Sequence, residues 1–208
     1  MAANRTDLAA SLAGSGRRLL DVGCGDGHFL SLVAPRYSEL HGAELDAERA
    51  ARCRARGAFV TRVDLDATGL PYAAGAFDSA TMLDVLEHVR EPLPALREVH
   101  RVLAPGGRVF VSTPNIRYWK HLVSILFQGR FPSTSDDPSA YDGGHLHYFT
   151  FADVEALMRQ AGFTDFQRVP VLDPDKFRRW SRLATGHLLR EFLSGGVLIA
   201  ARKPGAAG

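Results

Sequence analysis

The chain has 208 residues, of which 46% are hydrophobic and 23% are charged, and its formal net charge is +2. This length and composition predict one globular domain with a buried core, spanning residues 1–208. The small net charge excludes a general electrostatic attraction to nucleic acid, so we expect no nucleic-acid partner. The two cysteines make no disulfide framework, and residues 1–18 lack the apolar core of a signal peptide. We therefore expect a cytoplasmic protein.

Segments with the patterns of helices and strands alternate along residues 1–113. Helices are predicted at 5–14, from the glycine loop to near Pro35, at 47–56, and from near Pro92 through Leu103. Strands are predicted at 17–22, 39–45, 58–65, 77–83 and 108–113. This alternation favours a parallel sheet that is covered by helices on both faces. Ala104-Pro105-Gly106-Gly107 predicts a tight turn before the fifth strand. The basic run from Arg49 to Arg56 is interpreted as the solvated face of a helix.

The remainder of the chain is less regular. Residues 115–150 form an insertion with one helical piece, and Thr150-x-x-Asp153 predicts a capping box at the start of the next helix. Strands are predicted at 164–172 and 197–202. A helix between these two strands carries Phe177, Trp180, Ala184 and Leu188 on one face.

The stretch from Leu19 to Leu30 predicts a buried strand, a glycine-rich turn and the start of a helix. Glycines at 23, 25 and 27 permit backbone angles closed to other residues and let a ligand lie against the main chain. The turn leads to a helix N-terminus, whose free N–H groups can bind that ligand. The Gly-x-Gly-x-Gly spacing differs from the Gly-x-Gly-x-x-Gly of dinucleotide-binding proteins, which disfavours a nicotinamide oxidoreductase.

Leu20-Asp21-Val22-Gly23-Cys24-Gly25-Asp26-Gly27 resembles the first motif of the class I S-adenosylmethionine-dependent methyltransferases. The resemblance runs from about Arg17 to Asn115. It implies an α/β, Rossmann-like sheet of seven mostly parallel strands with helices on both faces. The implied strand order is 3-2-1-4-5-7-6, with strand seven antiparallel, and the implied cofactor is S-adenosyl-L-methionine.

Three blocks supply the expected cofactor site. Asp21 and the loop backbone can meet the methionine end, and Glu44 ends strand two at the distance from the loop that suits a ribose. The resemblance further implies that Asp66 accepts from the adenine amino group, next to the backbone N–H of Ala67. Asp64 competes for this role, and Asp66 is preferred for its distance to Leu70-Pro71. The predicted cofactor-binding residues are Asp21, Gly23, Cys24, Gly25, Gly27, Glu44, Leu45, Asp66, Ala67 and Leu83.

Histidines supply the candidates for acceptor chemistry. Strand four leads into Glu87-His88, a pair that many class I methyltransferases carry here, including the ubiquinone-biosynthesis O-methyltransferases, which Ser112-Thr113-Pro114-Asn115 also resembles. In the insertion, His145 and His147 share a face if that segment is extended. The predicted catalytic residues are His88, His145 and His147. The alternative for each histidine is a structural hydrogen bond.

Asp84-x-x-Glu87-His88 resembles a magnesium-binding arrangement of some quinone-type O-methyltransferases. On a helix these three residues would share one face. One histidine suits magnesium poorly, and we assign no metal ligand from the sequence.

The insertion is expected to form a lid over the acceptor pocket. The predicted helix, 116–128, has an apolar face wider than packing on one side of a sheet requires, and Gly143-Gly144 suits a hinge. Four alternatives could cover that face: a hydrophobic acceptor, a membrane surface touched peripherally, a second subunit in a homodimer, or ordinary core packing.

Together these features predict a methyltransferase that transfers a methyl group from S-adenosylmethionine to a small-molecule, lipid-precursor or glycan acceptor at oxygen. In-line positioning of the two substrates and removal of the acceptor's proton suffice for such a displacement. No Asn/Asp-Pro-Pro-aromatic tetrapeptide follows strand four, which argues against methylation of amino-adenine in DNA. The alternative is a methyltransferase-like binding or scaffolding protein without turnover.

Overall fold

One seven-stranded sheet, of order β3-β2-β1-β4-β5-β7-β6, forms the centre of the structure. The structure, a computed structural model, describes residues 5–135, 141–171 and 187–205. The strands are β1 Gly16–Val22, β2 Tyr37–Glu44, β3 Phe59–Arg62, β4 Phe77–Leu83, β5 Leu103–Pro114, β6 Thr164–Arg168 and β7 Gly196–Arg202. Strands β1 to β5 pair in parallel, and β7 is antiparallel to both β5 and β6. The predicted strand order and the antiparallel seventh strand are confirmed.

Seven α-helices accompany the sheet in the described residues. They are α1 Arg5–Leu12, α2 His28–Val33, α3 Ala47–Ala55, α4 Pro92–Val102, α5 Trp119–Gln128, α6 Phe151–Gln160 and α7 His187–Leu193. Local signals set several ends. Asp46 caps α3 by accepting from the backbone N–H of Arg49, and Thr150 and Asp153 form the predicted capping box of α6. Gly129, at φ 62°, ends α5.

The core lies on both faces of the sheet, because successive residues of each strand point to opposite sides. In β1, Leu20 packs in the cluster that α4 and α6 cover, while Leu19 packs with α1 and α2 on the other face. The fully buried pair Val109 and Phe110 divides between the two clusters in the same way. Both faces are therefore closed, and ligands have access at the strand ends.

Three elements differ from the sequence prediction. Strand β5 begins at Leu103, which pairs with Phe77, whereas Arg108 already pairs with Ser79, so the predicted turn at 104–107 is an irregularity inside the strand. Strand β3 ends at Arg62, since the Asp64 side chain accepts from the backbone N–H of Asp66 and starts a turn. Strand β6 is also shorter than predicted.

One predicted helix lies mostly outside the described residues. Of the helix predicted through Phe177, Trp180, Ala184 and Leu188, the first three residues lie outside the described part of the chain. Within the described residues, none of the helices has the length and apolar character to cross a membrane.

Candidate active site

The glycine loop joins β1 to α2 at the point where the strand order reverses, between β1 and β4. Gly23, Gly25 and Gly27 all have positive φ, at 72°, 51° and 80°. A Cβ atom on Gly23 would lie 2.2 Å from Cγ2 of Val85, so the backbone passes tightly against the turn after β4. A Cβ atom on Gly25 would meet open space, which leaves that side of the loop free for a ligand.

Glu44 ends β2 and fixes this loop in place. Its Oε2 accepts from the backbone N–H of Gly25 at 2.8 Å, and its Oε1 accepts from the N–H of Asp46 at 2.9 Å. The carboxylate thus serves the start of α3 as well as the glycine loop. Each carboxylate oxygen can accept a further hydrogen bond from a ligand hydroxyl.

Two adjoining cavities follow the carboxyl ends of the strands, and both include Gly23 and Arg49. The first has a volume of about 380 Å³ and is bordered by Thr6, Asp21, Cys24, Gly25, Asp26, His28, Phe29, Arg52 and Leu83. The second has a volume of about 320 Å³ and is bordered by Ala43, Glu44, Leu45, Val63, Asp64, Leu65, Asp66, Asp84, Val85, His88 and Val89. Arg49 therefore borders the groove, although the sequence suggested only a solvated helix face.

The predicted cofactor residues line this groove with two exceptions, Gly27 and Ala67. Gly27 lies at the start of α2, close against Cys53. The N–H of Ala67 donates to the carbonyl of Asp64 at 3.2 Å. Asp64 and Asp66 both line the second cavity, and Asp66 also accepts from the N–H of Arg90 at 2.9 Å. The choice between these two carboxylates stays a prediction.

Asp21 is a buried carboxyl group at the end of β1. Its Oδ1 accepts from the Thr81 hydroxyl at 2.6 Å. Burial, together with the negative charge of Glu44, raises the pKa of Asp21 to about 7, despite that hydrogen bond. A cation bound in the first cavity would favour the ionised form.

Asp84 follows β4 with φ 55° and is held by two side chains. Its Oδ2 lies 2.9 Å from Nη2 of Arg5, and its Oδ1 accepts from the Ser112 hydroxyl at 2.9 Å. Residues 84–89 form a turn, so the helix assumed for the magnesium arrangement is absent. Asp84 therefore does not share a helical face with Glu87 and His88.

The structure brings two of the three predicted catalytic histidines together. The rings of His88 and His145 meet edge to face, with centroids 4.7 Å apart. His88 is exposed and borders the second cavity, while the His145 side chain is only 5% exposed. His147 instead places Nε2 3.3 Å from the carbonyl of Arg90 and packs beside Phe149.

The insertion docks on the turn after β4 through Glu87. The backbone N–H groups of Leu146 and His147 both donate to the Glu87 carbonyl, at 2.8 and 3.2 Å. The Glu87 side chain is buried below His88, and burial, reinforced by the charge of Asp84, raises its pKa to about 8. The sequence pointed to Glu87 through the Asp84-x-x-Glu87-His88 arrangement but indicated neither its burial nor this contact with the insertion.

Asp142 is a buried residue of the insertion that the sequence did not single out. Its side chain is 3% exposed and accepts from Thr134, Ser133 and the N–H of Ser135. Burial alone would raise its pKa, but these hydrogen bonds lower it to about 2. Its position in a polar loop gave no signal, because such loops are rich in aspartate.

Comparison with known proteins now identifies the fold and the family. The family model described as methionine biosynthesis protein MetW matches residues 5–192. The chain belongs to the MetW family. A ubiquinone biosynthesis O-methyltransferase of Pseudomonas aeruginosa is 33% identical over 128 residues, which are 59% of this chain and 54% of that protein. The chain spans about half the length of the curated relatives it matches.

Solved structures extend the likeness to nearly the whole MetW-family chain. A Thermotoga maritima S-adenosylmethionine-dependent methyltransferase, described as a possible histamine N-methyltransferase, superimposes with a TM-score of 0.69 at 23% identity. The match covers 96% of this chain and 87% of that one. The [4+2]-cyclase SpnF has a TM-score of 0.67 at 26% identity, covering 97% and 81% of the two chains. The resemblance to class I S-adenosylmethionine-dependent methyltransferases is confirmed, with S-adenosylmethionine as the cofactor of that class.

Asp21 predicts a pH dependence of cofactor binding. S-adenosylmethionine carries a sulfonium and an ammonium group, so we predict that it binds best when Asp21 is ionised. Because the pKa of the free carboxyl group is about 7, binding at lower pH must release a proton. We expect the affinity to fall about tenfold per pH unit below 7 and to level off above it. Calorimetry from pH 5.5 to 8.5 measures this, and Asp21→Asn should flatten the profile. A flat wild-type profile would contradict the role of Asp21.

Proposed function

We propose that this MetW-family protein is an enzyme that transfers a methyl group from S-adenosylmethionine to a small-molecule, lipid-precursor or glycan acceptor at an oxygen atom. The observation that carries the proposal is the position of His88. It borders the same cavity as Glu44 and Asp66, so an imidazole stands beside the expected nucleoside site. The O-methyltransferase relative supports oxygen as the acceptor atom.

Each of the two cavities is proposed to bind one part of the cofactor. We assign the methionine end to the first cavity, with Asp21, Cys24 and Gly25, and the adenosine to the second, with Glu44 and Leu45. Leu83, at the end of β4, borders the first cavity, and His88 borders the second. The methyl group would then lie near the turn after β4, and an acceptor must approach from that side.

His88 is assigned as the base that removes the acceptor's proton. Its Nδ1 lies 3.4 Å from the carbonyl of Gly144, which requires an N–H there and leaves Nε2 with a lone pair. His145 packs against the ring and limits its rotation. Methyl transfer then needs only in-line positioning and this proton transfer, with no covalent enzyme intermediate. His147 stays a prediction, because its ring faces the carbonyl of Arg90.

The insertion at 115–150 is proposed as part of the same domain and as one wall of the acceptor site. Residues 141–148 support this, since their backbone already contacts Glu87. Helix α5 has no buried residue and borders neither cavity, and Leu126 and Phe127 are 72% and 81% exposed. What covers α5 therefore stays a prediction, with a hydrophobic acceptor, a membrane surface and a second subunit as the alternatives.

A second candidate function is a cofactor-binding protein without methyl transfer. Two observations favour it: the family description names no reaction, and the structural relative SpnF is described as a [4+2]-cyclase. Such a protein would keep Glu44 and the glycine loop but need no base.

Turnover assays separate the two candidates. Methyl-labelled S-adenosylmethionine would be incubated with phenols, catechols, lipid precursors and glycans, and both methylated product and S-adenosylhomocysteine would be measured. We expect turnover with an oxygen acceptor, and His88→Asn should lower kcat by about 100-fold. The affinity of that variant for S-adenosylhomocysteine should stay within about twofold, since a base contributes little to cofactor binding. Tight cofactor binding with no product from any acceptor class would favour the second candidate.

A further inference from the structure

Glu87 is a buried carboxyl group with few polar contacts. Its residue is 1% exposed, and among the described residues neither side-chain oxygen forms a hydrogen bond. The hydroxyl of Thr113 is also buried and lies near this carboxyl group, close enough to lower its pKa. Buried carboxylates are normally paired with a cation or satisfied by hydrogen bonds, so a positive group at this position would stabilise the ionised form of Glu87.

Two imidazoles face this carboxyl group. Nε2 of His145 lies 3.9 Å from Oε1 of Glu87, and the His88 ring meets the His145 ring edge to face. One ligand atom from each of the three residues lies within 4.8 Å of the other two. Small side-chain adjustments would bring all three atoms to one ion at metal–ligand distances of about 2 Å.

The hydrogen bonds of the two histidines fix which nitrogen is free. Thr134 donates its hydroxyl proton to Asp142 at 2.7 Å, so its oxygen accepts from Nδ1 of His145, also at 2.7 Å. The Nδ1 of His88 likewise faces a backbone carbonyl. Both rings therefore keep Nε2 as the lone-pair nitrogen. An Nδ1–H bonded to a carboxylate, hydroxyl or carbonyl is the usual support of a metal-ligating histidine.

We propose that Glu87, His88 and His145 form a binding site for one divalent transition-metal ion of the zinc, iron or manganese type. Two imidazoles and one carboxylate suit these ions, whereas magnesium prefers oxygen ligands. The ligand set differs from the sequence-based Asp84, Glu87 and His88 arrangement, because Asp84 is held by Arg5 and Ser112 and His145 takes its place.

The exposed position of His88 gives this site a path to solvent and an open side toward the second cavity. With Nε2 of His88 bound to the ion, that ring could no longer take the acceptor's proton. The ion would instead lower the pKa of a hydroxyl group that coordinates it, so in the metal-bound enzyme it would replace His88 in the proton removal of the proposed function. Binding of the ion itself is independent of whether methyl transfer occurs.

Calorimetry of the full chain, freed of metal with a chelator, tests the site with Zn²⁺, Mn²⁺ and Mg²⁺ in turn and no cofactor. We expect one Zn²⁺ per chain, with magnesium bound at least about 100-fold more weakly. Glu87→Gln and His145→Asn should each weaken zinc binding by about tenfold or more. His147→Asn is the matched control, because its ring lies two residues away on the Arg90 carbonyl, and it should leave zinc affinity within about twofold.

Co²⁺ absorption of the wild-type chain provides a readout that needs no variant. A low-symmetry nitrogen and oxygen site should give visible bands that Zn²⁺ displaces at one equivalent. Absence of zinc and manganese binding would overturn the proposal. So would zinc binding that Glu87→Gln and His145→Asn leave unchanged, or that His147→Asn weakens equally.

Discussion

Replacement of Glu44 by alanine should weaken binding of S-adenosylhomocysteine by about 10- to 100-fold. The variant removes the buried carboxylate that we propose as the acceptor for the ribose hydroxyls, and loss of hydrogen bonds to a charged group costs about 1–3 kcal/mol. It also frees the N–H groups of Gly25 and Asp46, so the loop loses its anchor. Isothermal titration calorimetry at constant pH gives the affinity.

Two variants refine the Glu44 result. Glu48→Gln removes a carboxylate from the first turn of α3, the helix whose start Glu44 contacts. The Glu48 side chain is 87% exposed, so the affinity for the cofactor should be unchanged within about twofold. Glu44→Gln keeps one oxygen acceptor and should lie between the wild type and Glu44→Ala. An affinity of Glu44→Ala within twofold of the wild type would refute the assignment of Glu44 to the nucleoside.

Gly23→Ala should abolish cofactor binding and destabilise the fold by about 2–4 kcal/mol. The alanine would adopt φ 72° in a left-handed region and place Cβ 2.2 Å from Cγ2 of Val85. Strain of this kind costs about 1 kcal/mol, and the overlap adds about 1–3 kcal/mol. Chemical denaturation measures the free energy of unfolding, and calorimetry measures the binding.

Gly25→Ala and Gly57→Ala are controls that separate backbone strain from steric overlap. Both glycines have positive φ, and a Cβ atom at either position would meet no neighbour. Each should lose only about 1 kcal/mol of stability, and Gly25→Ala alone should also lose cofactor affinity. Val85→Ala should partly restore the stability of Gly23→Ala by removing the methyl group in the way. Equal stability losses in Gly23→Ala and Gly57→Ala would show that the close approach to Val85 is unimportant.

Local signals predicted much of the fold. The Leu19–Leu30 stretch and the Thr150–Asp153 capping box each depend on residues close in sequence, and the structure shows both. Strand order came from the family resemblance rather than from periodicity. The irregularity in β5 was missed because it depends on where Phe77 and Ser79 pair across the sheet.

In the candidate site, too, local spacing was predictive and contacts between distant segments were not. Gly23, Glu44 and Asp66 were predicted from their characteristic spacing along the chain, and all three border the groove. The cluster of Glu87, His88 and His145 joins segments more than fifty residues apart, and no spacing rule connects them. Burial decides the properties of Asp21 and Glu87, whose pKa values are raised to about 7 and about 8, and the sequence does not reveal burial depth.

The most direct test of the central claim is a comparison of three ligands on the wild-type chain. Calorimetry at pH 7.5 with S-adenosylmethionine, S-adenosylhomocysteine and NAD measures which nucleoside the groove accepts. We predict one molecule of either adenosyl compound per chain, in the micromolar range typical of cofactor sites, and no heat from NAD. Binding of NAD with no binding of either adenosyl compound would contradict the account.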